Sequence, residues 1–471
     1  MISKKLIGTV GIRAMSTFKL SNEAFNSLIS QPAIKEIQAA FQTTPHEIRI
    51  CGGAVRDLLR GFPAKDIDFA TTALPHEMVS LFTKLSWRMI NNRGIKHGTI
   101  TIHIHDVNYE ITTLRIDRET TGRHAEVEFT KDWRVDAERR DLTFNSLFLD
   151  LDGTVYDYYG GADDLKNFRV RFVGDAKKRI QEDYLRILRY FRFFGRIAQD
   201  PSSHEISTLQ IIEENSDGLR ILSGERIASE LRQIVSGRYA PQIMATMHSL
   251  SLFPYLWLPD DYPEGLLLFR DVYNRSQKFD TKPITLISAL FRDKKDVSLF
   301  HERMKLSAEE LQIAYFIVSS RDTLPDDLKS YQDIIVDAKS LKDFQAIALL
   351  ELLKFKGCDK YIESLCSWDI PRFPVNGLDL KELGMKSGKH IGHNELANLE
   401  KMLGKKPLFG GNKHSIADIV IYSIINSTHF LDFDLSPFPV ISEFEKRMES
   451  LKSLKERNEV AGEIMLSYKK Q

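Results

Sequence analysis

With 471 residues the chain is too long for one small hydrophobic core and is expected to fold as two to four domains. Its 42% hydrophobic and 28% charged residues are those of an ordinary soluble protein, and no apolar run is long enough to span a bilayer, which excludes a membrane-crossing helix. Lys plus Arg and Asp plus Glu balance at 65 each, so the chain as a whole exerts no pull on nucleic acid. Three cysteines, Cys51, Cys358 and Cys366, lack metal-ligand spacing and imply a reducing compartment.

Residues 1–20 carry Lys4, Lys5, Arg13 and Lys19, no acidic residue, and Ser3, Thr9, Ser16 and Thr17, the composition of a mitochondrial targeting segment. Met15 offers an internal start, and with it a cytoplasmic or nuclear form. From Leu20 to Phe41 apolar residues recur at helical spacing behind an N-cap candidate, Ser21, which predicts a helix packed beneath a sheet.

Ile48–Cys51 reads as a short buried strand. Gly52 and Gly53 then free the backbone ahead of the helical pattern Ala54–Leu59, which Gly61 and Pro63 end. A triphosphate suits that helix start, where exposed N–H groups and the Arg56 guanidinium attract anionic oxygens. Asp66-Ile67-Asp68-Phe69 reads as the next strand, so Asp66 and Asp68 leave one face together. Hard oxygen ligands beside a phosphate site suggest Mg2+, with two ions to activate a hydroxyl and stabilise departing pyrophosphate. The plainer reading of the two acids is a surface turn.

Thr72 and Pro75 start another helix through Leu85, and alternation from His97 to Ile104 predicts a half-buried strand. On it His103 and His105 would share a face, either as a metal pair or as two solvent-facing histidines. Asn108–Arg115 reads as the hairpin return, placing Glu110 as a candidate third carboxylate near Asp66 and Asp68. The polar stretch Asp117–Val135 is expected to include a mobile loop.

The order GG-x-V-R-D, Gly52 to Asp57, then D-x-D, resembles the nucleotidyltransferase superfamily, and more narrowly the class II tRNA nucleotidyltransferases (CCA-adding enzymes) and their relatives the bacterial poly(A) polymerases. The resemblance implies an α+β fold: a mixed β-sheet head followed by an all-α neck, body and tail. It also implies Asp66 and Asp68 as catalytic metal ligands, Glu110 as their helper, and the segment after Arg115 as one associated with the change from C to A addition. Arg139-Arg140-Asp141-Leu142-Thr143-Phe144-Asn145 matches the family's RRD-x-x-x-N motif, in which Arg140 would bind phosphate while Asp141 and Asn145 meet ribose hydroxyls. Taken alone, Asp141 could instead cap a turn. Tyr156–Gly161 and Arg171–Gly174 resemble a hinge-like joint without chemistry.

Lys166–Gln199 holds ten basic residues against three acidic ones, an excess of seven where an RNA backbone could be attracted, or else a solvated helical face. Within it Arg179–Ala198 reads as one helix, with Asp183, Arg186 and Arg189 spaced by three, either a surface ion pair or a base-reading set. Cytosine and adenine each offer an amino donor beside a ring-nitrogen acceptor, the complement of an Asp that accepts and an Arg that donates. The stretch resembles the family's E-D-x-x-R motif, which carries this logic, and Arg189 and Arg192 are carried over as further nucleotide contacts.

Gly224-Glu225-Arg226-Ile227 resembles the next motif, with Glu225 expected to fix the neck through an ion pair. Beyond Pro241 the pattern is helical, and Lys354 and Lys356 are available to RNA phosphates. The resemblance runs from about Phe25 to Gly392, its last words being Ile370–Val375 and Lys386–Gly392. Leu396–Asn458, with a capping pattern at Ser415–Asp418, resembles distal helices of a glutathione-transferase C-terminal domain and suggests either a docking or self-association unit or a plain tail bundle.

The expected partition is 1–20 targeting, 21–165 head, 166–240 neck, 241–325 body, 326–392 tail and 393–471 extension. The expected activity is addition of CCA to the tRNA 3′ acceptor end from CTP and ATP. Partial C or A addition, poly(A) synthesis and a non-catalytic RNA scaffold are the alternatives.

Overall fold

Alternating apolar residues in the first third of the chain build one mixed sheet. A computed structural model describes residues 15–90, 92–117, 127–338, 343–369, 399–401, 403–404, 418, 421–422, 425 and 436–449. The strands are β1 (Ser16–Lys19), β2 (Ile48–Cys51), β3 (Asp68–Thr71), β4 (Arg88–Ile90), β5 (Thr99–Ile104), β6 (Val107–Thr113), β7 (Arg115–Asp117), β8 (Val127–Phe129), β9 (Phe148–Leu149) and β10 (Thr154–Asp157). Eight form a sheet in the order β1-β10-β9-β2-β3-β6-β5-β4, while β7 and β8 pair separately. Within the sheet β3 and β6 run parallel and the other neighbours antiparallel.

Helices α1 (Glu23–Ser30), α2 (Pro32–Gln42), α3 (Gly53–Leu59) and α4 (Pro75–Lys84) cover one face, burying Phe25, Ile37, Val55, Leu58 and Phe82 against Ile50, Phe69 and Ile111. The helix expected from Leu20 to Phe41 is therefore two. Asn22, not Ser21, caps α1, its Oδ1 accepting the Phe25 N–H at 2.9 Å. Gln31 turns extended because the Pro32 ring disfavours helical backbone in the residue before it. Residues 16–19, expected within the targeting segment, form edge strand β1 against β10, while residues 1–14 lie outside the described residues.

The other face carries a smaller cluster of Cys51, Ala70, Leu114, Trp133, Ala137, Phe148 and Tyr158. Trp133 opens α5 (Trp133–Glu138), so the stretch expected to hold a mobile loop contains β8 and the start of a helix, and only its residues 118–126 lie outside the described residues. Arg49 fixes α5 from below: its guanidinium lies 4.1 Å from the Trp133 ring centroid and 3.7 Å from that of Tyr156.

The remainder of this unit is helical: α6 (Gly161–Lys166), α7 (Ala176–Glu182), α8 (Leu185–Ile197), α9 (Ile206–Glu214), α10 (Gly224–Val235), α11 (Ala240–Ser249), α12 (Pro263–Ser276), α13 (Pro283–Ile287), α14 (Lys294–Met304), α15 (Ala308–Ser320), α16 (Leu328–Ala338), α17 (Phe344–Lys356) and α18 (Asp359–Cys366). One apolar core runs through it from Leu142 to Phe355. Gly161 serves close packing, since a Cβ there would stand 2.1 Å from the Thr143 carbonyl oxygen. The helix expected from Arg179 to Ala198 breaks at Asp183, whose backbone is extended (φ −155°) and whose Oδ1 accepts the Leu185 N–H at 3.1 Å. Such a local side-chain bond competes with the helical ladder.

Residues 1–368 and 369–471 form two compact units. In the second, Leu403, Ile421, Tyr422, Ile425, Phe438, Ile441, Phe444 and Met448 cluster, and Glu400 accepts the N–H groups of Val440 and Ile441 at the start of the helix Pro439–Glu449. The expected cap residue Ser415 and the motifs at 370–375 and 386–392 lie outside the described residues. No helix among the described residues is long and apolar enough to cross a membrane.

Candidate active site

Strand alternation gathers the carboxylates. Phe69 of β3 points into the helix-covered core, so Asp68 leaves by the opposite face, in register with Cys51 of β2 and Glu110 of β6. Asp66 precedes the strand, which begins at Asp68, so the two acids are not successive same-face positions of one strand as expected. They still sense each other. Protein packed around Asp68, then the charges of Glu110 and Asp66, push its pKa above the usual carboxylate value, with Arg140 opposing.

Gly52 bridges β2 and α3 at φ +66°, a backbone conformation that side chains disfavour. Two guanidiniums flank the glycine pair: Arg140 Nη1 lies 3.6 Å from where a Gly52 Cβ would stand, and Arg56 Nη2 lies 3.5 Å from the same point at Gly53. Arg56 is buried, grips Asp57 at 2.9 and 3.1 Å, and donates to Asn145 Oδ1 at 3.2 Å. Asn145 in turn donates to Asp141 Oδ1 at 3.2 Å. Diglycine and RRD-x-x-x-N segments, ninety residues apart in the chain, thus form one hydrogen-bonded floor beside the acids.

Asp136 of α5 anchors that floor. It is buried and accepts from Arg139 Nε at 2.8 Å, from Arg140 Nε and Nη2 at 3.2 and 3.1 Å, and from the Arg115 N–H at 3.1 Å. Burial works against its charge, but the two arginines hold its carboxyl below the usual range. The sequence reading missed Asp136, although it stands three and four residues before Arg139 and Arg140, a helical ion-pair spacing.

Helix α8 meets the floor from the other side. Arg189 Nε donates to Asp141 Oδ2 at 2.6 Å, and Arg186 Nη2 donates to the Arg139 carbonyl at 2.7 Å. Burial opposes ionisation of Asp141, but Arg189 and its other hydrogen bonds lower its pKa. Asp183 and Arg186 do not pair with each other as side chains: Asp183 accepts from Arg226 Nη2 at 2.7 Å, while Arg186 Nη1 binds Glu182 Oε2 at 2.7 Å and the Arg179 carbonyl at 2.8 Å. Because Asp183 sits at the break between α7 and α8, the expected three-residue stagger along one helix holds only for Arg186 and Arg189. Arg192 Nε lies 2.6 Å from Glu230 Oε2. The ion pairs that clamp α10 are therefore made by Arg226 to Asp183, at the α7–α8 break, and by Glu230 to Arg192 of α8, and not by Glu225, which is exposed at the start of α10.

His105 lies in the turn after β5 (φ +48°) with Nε2 2.7 Å from Glu36 Oε1, and His103 Nδ1 is 2.8 Å from Asn108 Oδ1, so they form no metal pair. Lys354 is taken up by Glu351 Oε1 and the Asp280 carbonyl, both at 2.6 Å, and Lys356 reaches the Leu324 carbonyl at 3.4 Å. Each lysine thus already makes at least one intramolecular bond. Among the described residues no three His, Cys, Asp or Glu side chains are arranged to hold a metal by themselves.

Residues 48–171 match the family model for the poly A polymerase head domain, 205–260 that for a probable RNA and SrmB-binding site of polymerase A, and 389–457 that for a glutathione S-transferase C-terminal domain. The chain is 49% identical over 390 residues to the mitochondrial CCA tRNA nucleotidyltransferase 1 of Danio rerio, covering 82% of this chain and 89% of that protein. It is 48% identical to the Homo sapiens protein of the same name, covering 80% and 87%. Its fold is similar to that of the Bacillus stearothermophilus CCA-adding enzyme solved with CTP, at a TM-score of 0.62 and 24% identity, covering 79% of this chain and 91% of that one. A mixed-sheet head carrying the acids, an arginine-lined floor, a helical remainder and near 50% identity across four-fifths of its length place this chain in the CCA tRNA nucleotidyltransferase family.

Proposed function

We propose that this chain adds and repairs the 3′-terminal CCA of tRNAs without a nucleic-acid template, using CTP and ATP. The carrying observation is the sheet face on which Asp68 and Glu110 pair in register beside Gly52 and Arg140. Asp66 and Asp68 are the residues that would hold Mg2+. Two carboxylates with an excess of like charge fit that ion, which is usually bound through one or two carboxylates plus substrate phosphates and not in an all-protein cage. When bound, two Mg2+ ions would supply Lewis-acid activation of the tRNA 3′-hydroxyl and charge stabilisation for departing pyrophosphate. Glu110 adds negative charge on the same face, supporting cation binding there.

The protein's own groups do the rest. Gly52 and Gly53 let a triphosphate approach the backbone, and Arg56 and Arg140 bind its oxygens. Asp141 and Asn145 orient the ribose. Asp183 and Arg186 accept from and donate to the Watson–Crick edge of C or A, and meet U or G with like groups facing; buried mismatches of that kind discriminate by about 10⁴ or more. Arg226 and Glu182 are the protein partners of those two side chains, and a base of the right pattern would replace them. Arg189 and Arg192 extend the same face of α8.

We assign 21–165 to head, 166–240 to neck, 241–325 to body, 326–392 to tail and 393–471 to an extension for docking or self-association, which truncation after Gly392 tests by oligomeric state. Residues 1–20 serve as the mitochondrial targeting segment, and initiation at Met15 would give a cytoplasmic or nuclear form that keeps all of β1. Fusing residues 1–30 to a reporter tests this, and a purely cytosolic signal would reject it. The activity is tested with tRNAs ending before CCA, after C and after CC, each offered CTP, ATP, UTP and GTP in Mg2+. CTP use on the first two and ATP use on the third is expected; C only, A only or long A tracts would mark the partial or poly(A) activities. No incorporation on any primer would leave only the scaffold reading.

A further inference from the structure

Four arginines converge on a cavity of about 380 Å³ lined by Arg56, Asp57, Arg60, Gly195, Arg196 and Arg238. Four guanidiniums face one carboxylate, and that carboxylate is already gripped by Arg56. Arg56 is buried and forms the floor, while exposed Arg60, Arg196 and Arg238 form the rim. The residues come from three places in the chain: α3 and its end, the last turn of α8, and the turn between α10 and α11. Arg238 is held by the carbonyls of Gly195 and Ala198 at the end of α8, and Arg196 Nη2 binds Gln233 Oε1 at 2.9 Å. Arg60 stacks 5.2 Å from the Phe62 ring centroid.

We propose that this cavity binds phosphate groups of the tRNA sugar–phosphate backbone, as a site separate from that of the nucleoside triphosphate; the assignment of tRNA rests on the CCA-adding reading. Guanidinium forks match phosphate oxygens in pairs, and an exposed basic rim suits a polyanion that passes across it. Distance argues against the triphosphate as occupant. Arg60 lies seven residues beyond Gly53, about 10 Å along a helix at 1.5 Å per residue, so the rim is set apart from the diglycine turn by the length of α3. Arg56 stands at the boundary, with Nη2 towards Gly53 and Nε on Asp57.

A basic track joins the two sites. Arg189, Arg192 and Arg196 follow at spacings of three and four on one face of α8, from the Asp141 pair to the cavity. Their guanidiniums and that of Arg56 all lie within 5.7 Å of the Phe193 ring centroid, so one buried ring spaces the charges that line the way. Arg189 and Arg192 are paired with Asp141 and Glu230 on the nucleotide side, so the upstream RNA phosphates fall to Arg196 and the cavity rim.

The test uses the full chain and a fluorescein-labelled tRNA ending before CCA, with no nucleotide, followed by anisotropy over a range of salt. Arg60→Glu with Arg196→Glu should weaken binding at least about tenfold and flatten the salt slope by about one per lost contact. With saturating tRNA, the KM for CTP should stay within about twofold of wild type, and Arg60→Lys should retain tRNA affinity, as expected of a phosphate contact. Thermal melting verifies the fold, and Arg60→Gln alone provides a milder variant at an exposed position. Unchanged affinity and slope in folded variants would overturn the proposal, as would a raised KM for CTP with tRNA binding intact, which would put the triphosphate there. The binding arm needs no turnover: wild-type protein that binds tRNA but incorporates nothing sinks the enzymatic reading alone, and variants that bind as wild type while wild type adds CCA sink this inference alone.

Discussion

Arg189 on α8 donates from Nε to Asp141 Oδ2 at 2.6 Å, joining a helix of the all-α part to the segment that also holds Arg56 through Asn145. Asp141→Asn should destabilise the protein by about 1–2 kcal/mol, the lower part of the range for a buried charged hydrogen bond because Arg189 is partly exposed. Because the folded pKa of Asp141 is depressed, its contribution is present above the unfolded value near 4 and is lost as pH falls through the folded one. Urea midpoints at pH 7 and at about pH 3.5 should therefore differ less for the variant than for wild type; equal differences would reject the link.

Asp136→Asn should be more damaging, at about 3–5 kcal/mol, because two arginines lose a buried counter-charge. Equilibrium denaturation measures it. A cost below about 1 kcal/mol would mean that water replaces the carboxylate.

Asp68→Asn should lower kcat for CTP incorporation by at least about 10²-fold while leaving the Kd for tRNA within a few-fold. Chelation of Mg2+ from wild type should reproduce the loss and readdition should restore it. Activity that survives both treatments would contradict the assignment of Asp66 and Asp68.

Asp183→Ala should keep triphosphate affinity but lose base choice, bringing C or A incorporation towards parity with U and G. Competition assays with mixed triphosphates read this directly, and preserved selectivity would place base reading elsewhere.

His204 stacks on Phe194 with ring centroids 3.5 Å apart, and burial lowers its pKa to about 4. The unfolded chain therefore binds its proton first as pH falls, so this group's contribution to stability is full above about pH 6.5 and declines towards about 4. His204→Phe should flatten the fall in melting temperature over that window; an unchanged profile would show that other groups cause it.

Much of the site was legible because its signals are local. Ile48–Cys51, the glycine turn and the helix behind it follow from neighbouring residues, and the alternation of β5 appears as predicted in its burial. Chemical complementarity reads from side-chain type as well, so the Asp and Arg pattern at 183 and 186 can be put forward as a base reader from the sequence, a reading left to the selectivity assay.

Tertiary structure decided what depends on partners distant in the chain. Only the parallel pairing of β3 with β6 sets Glu110 opposite Asp68, and only the packing of α8 on the RRD segment matches Arg189 to Asp141. Asp183 left its helix because its own carboxylate could bond the Leu185 N–H and Arg226 forty-three residues away, a competition that periodicity does not weigh. The arginine cavity has no sequence pattern at all, since its walls come from α3, α8 and the turn between α10 and α11. Local bonding fixes which residues can do the chemistry; burial and long-range pairing, which depend on the whole fold, fix which of them meet.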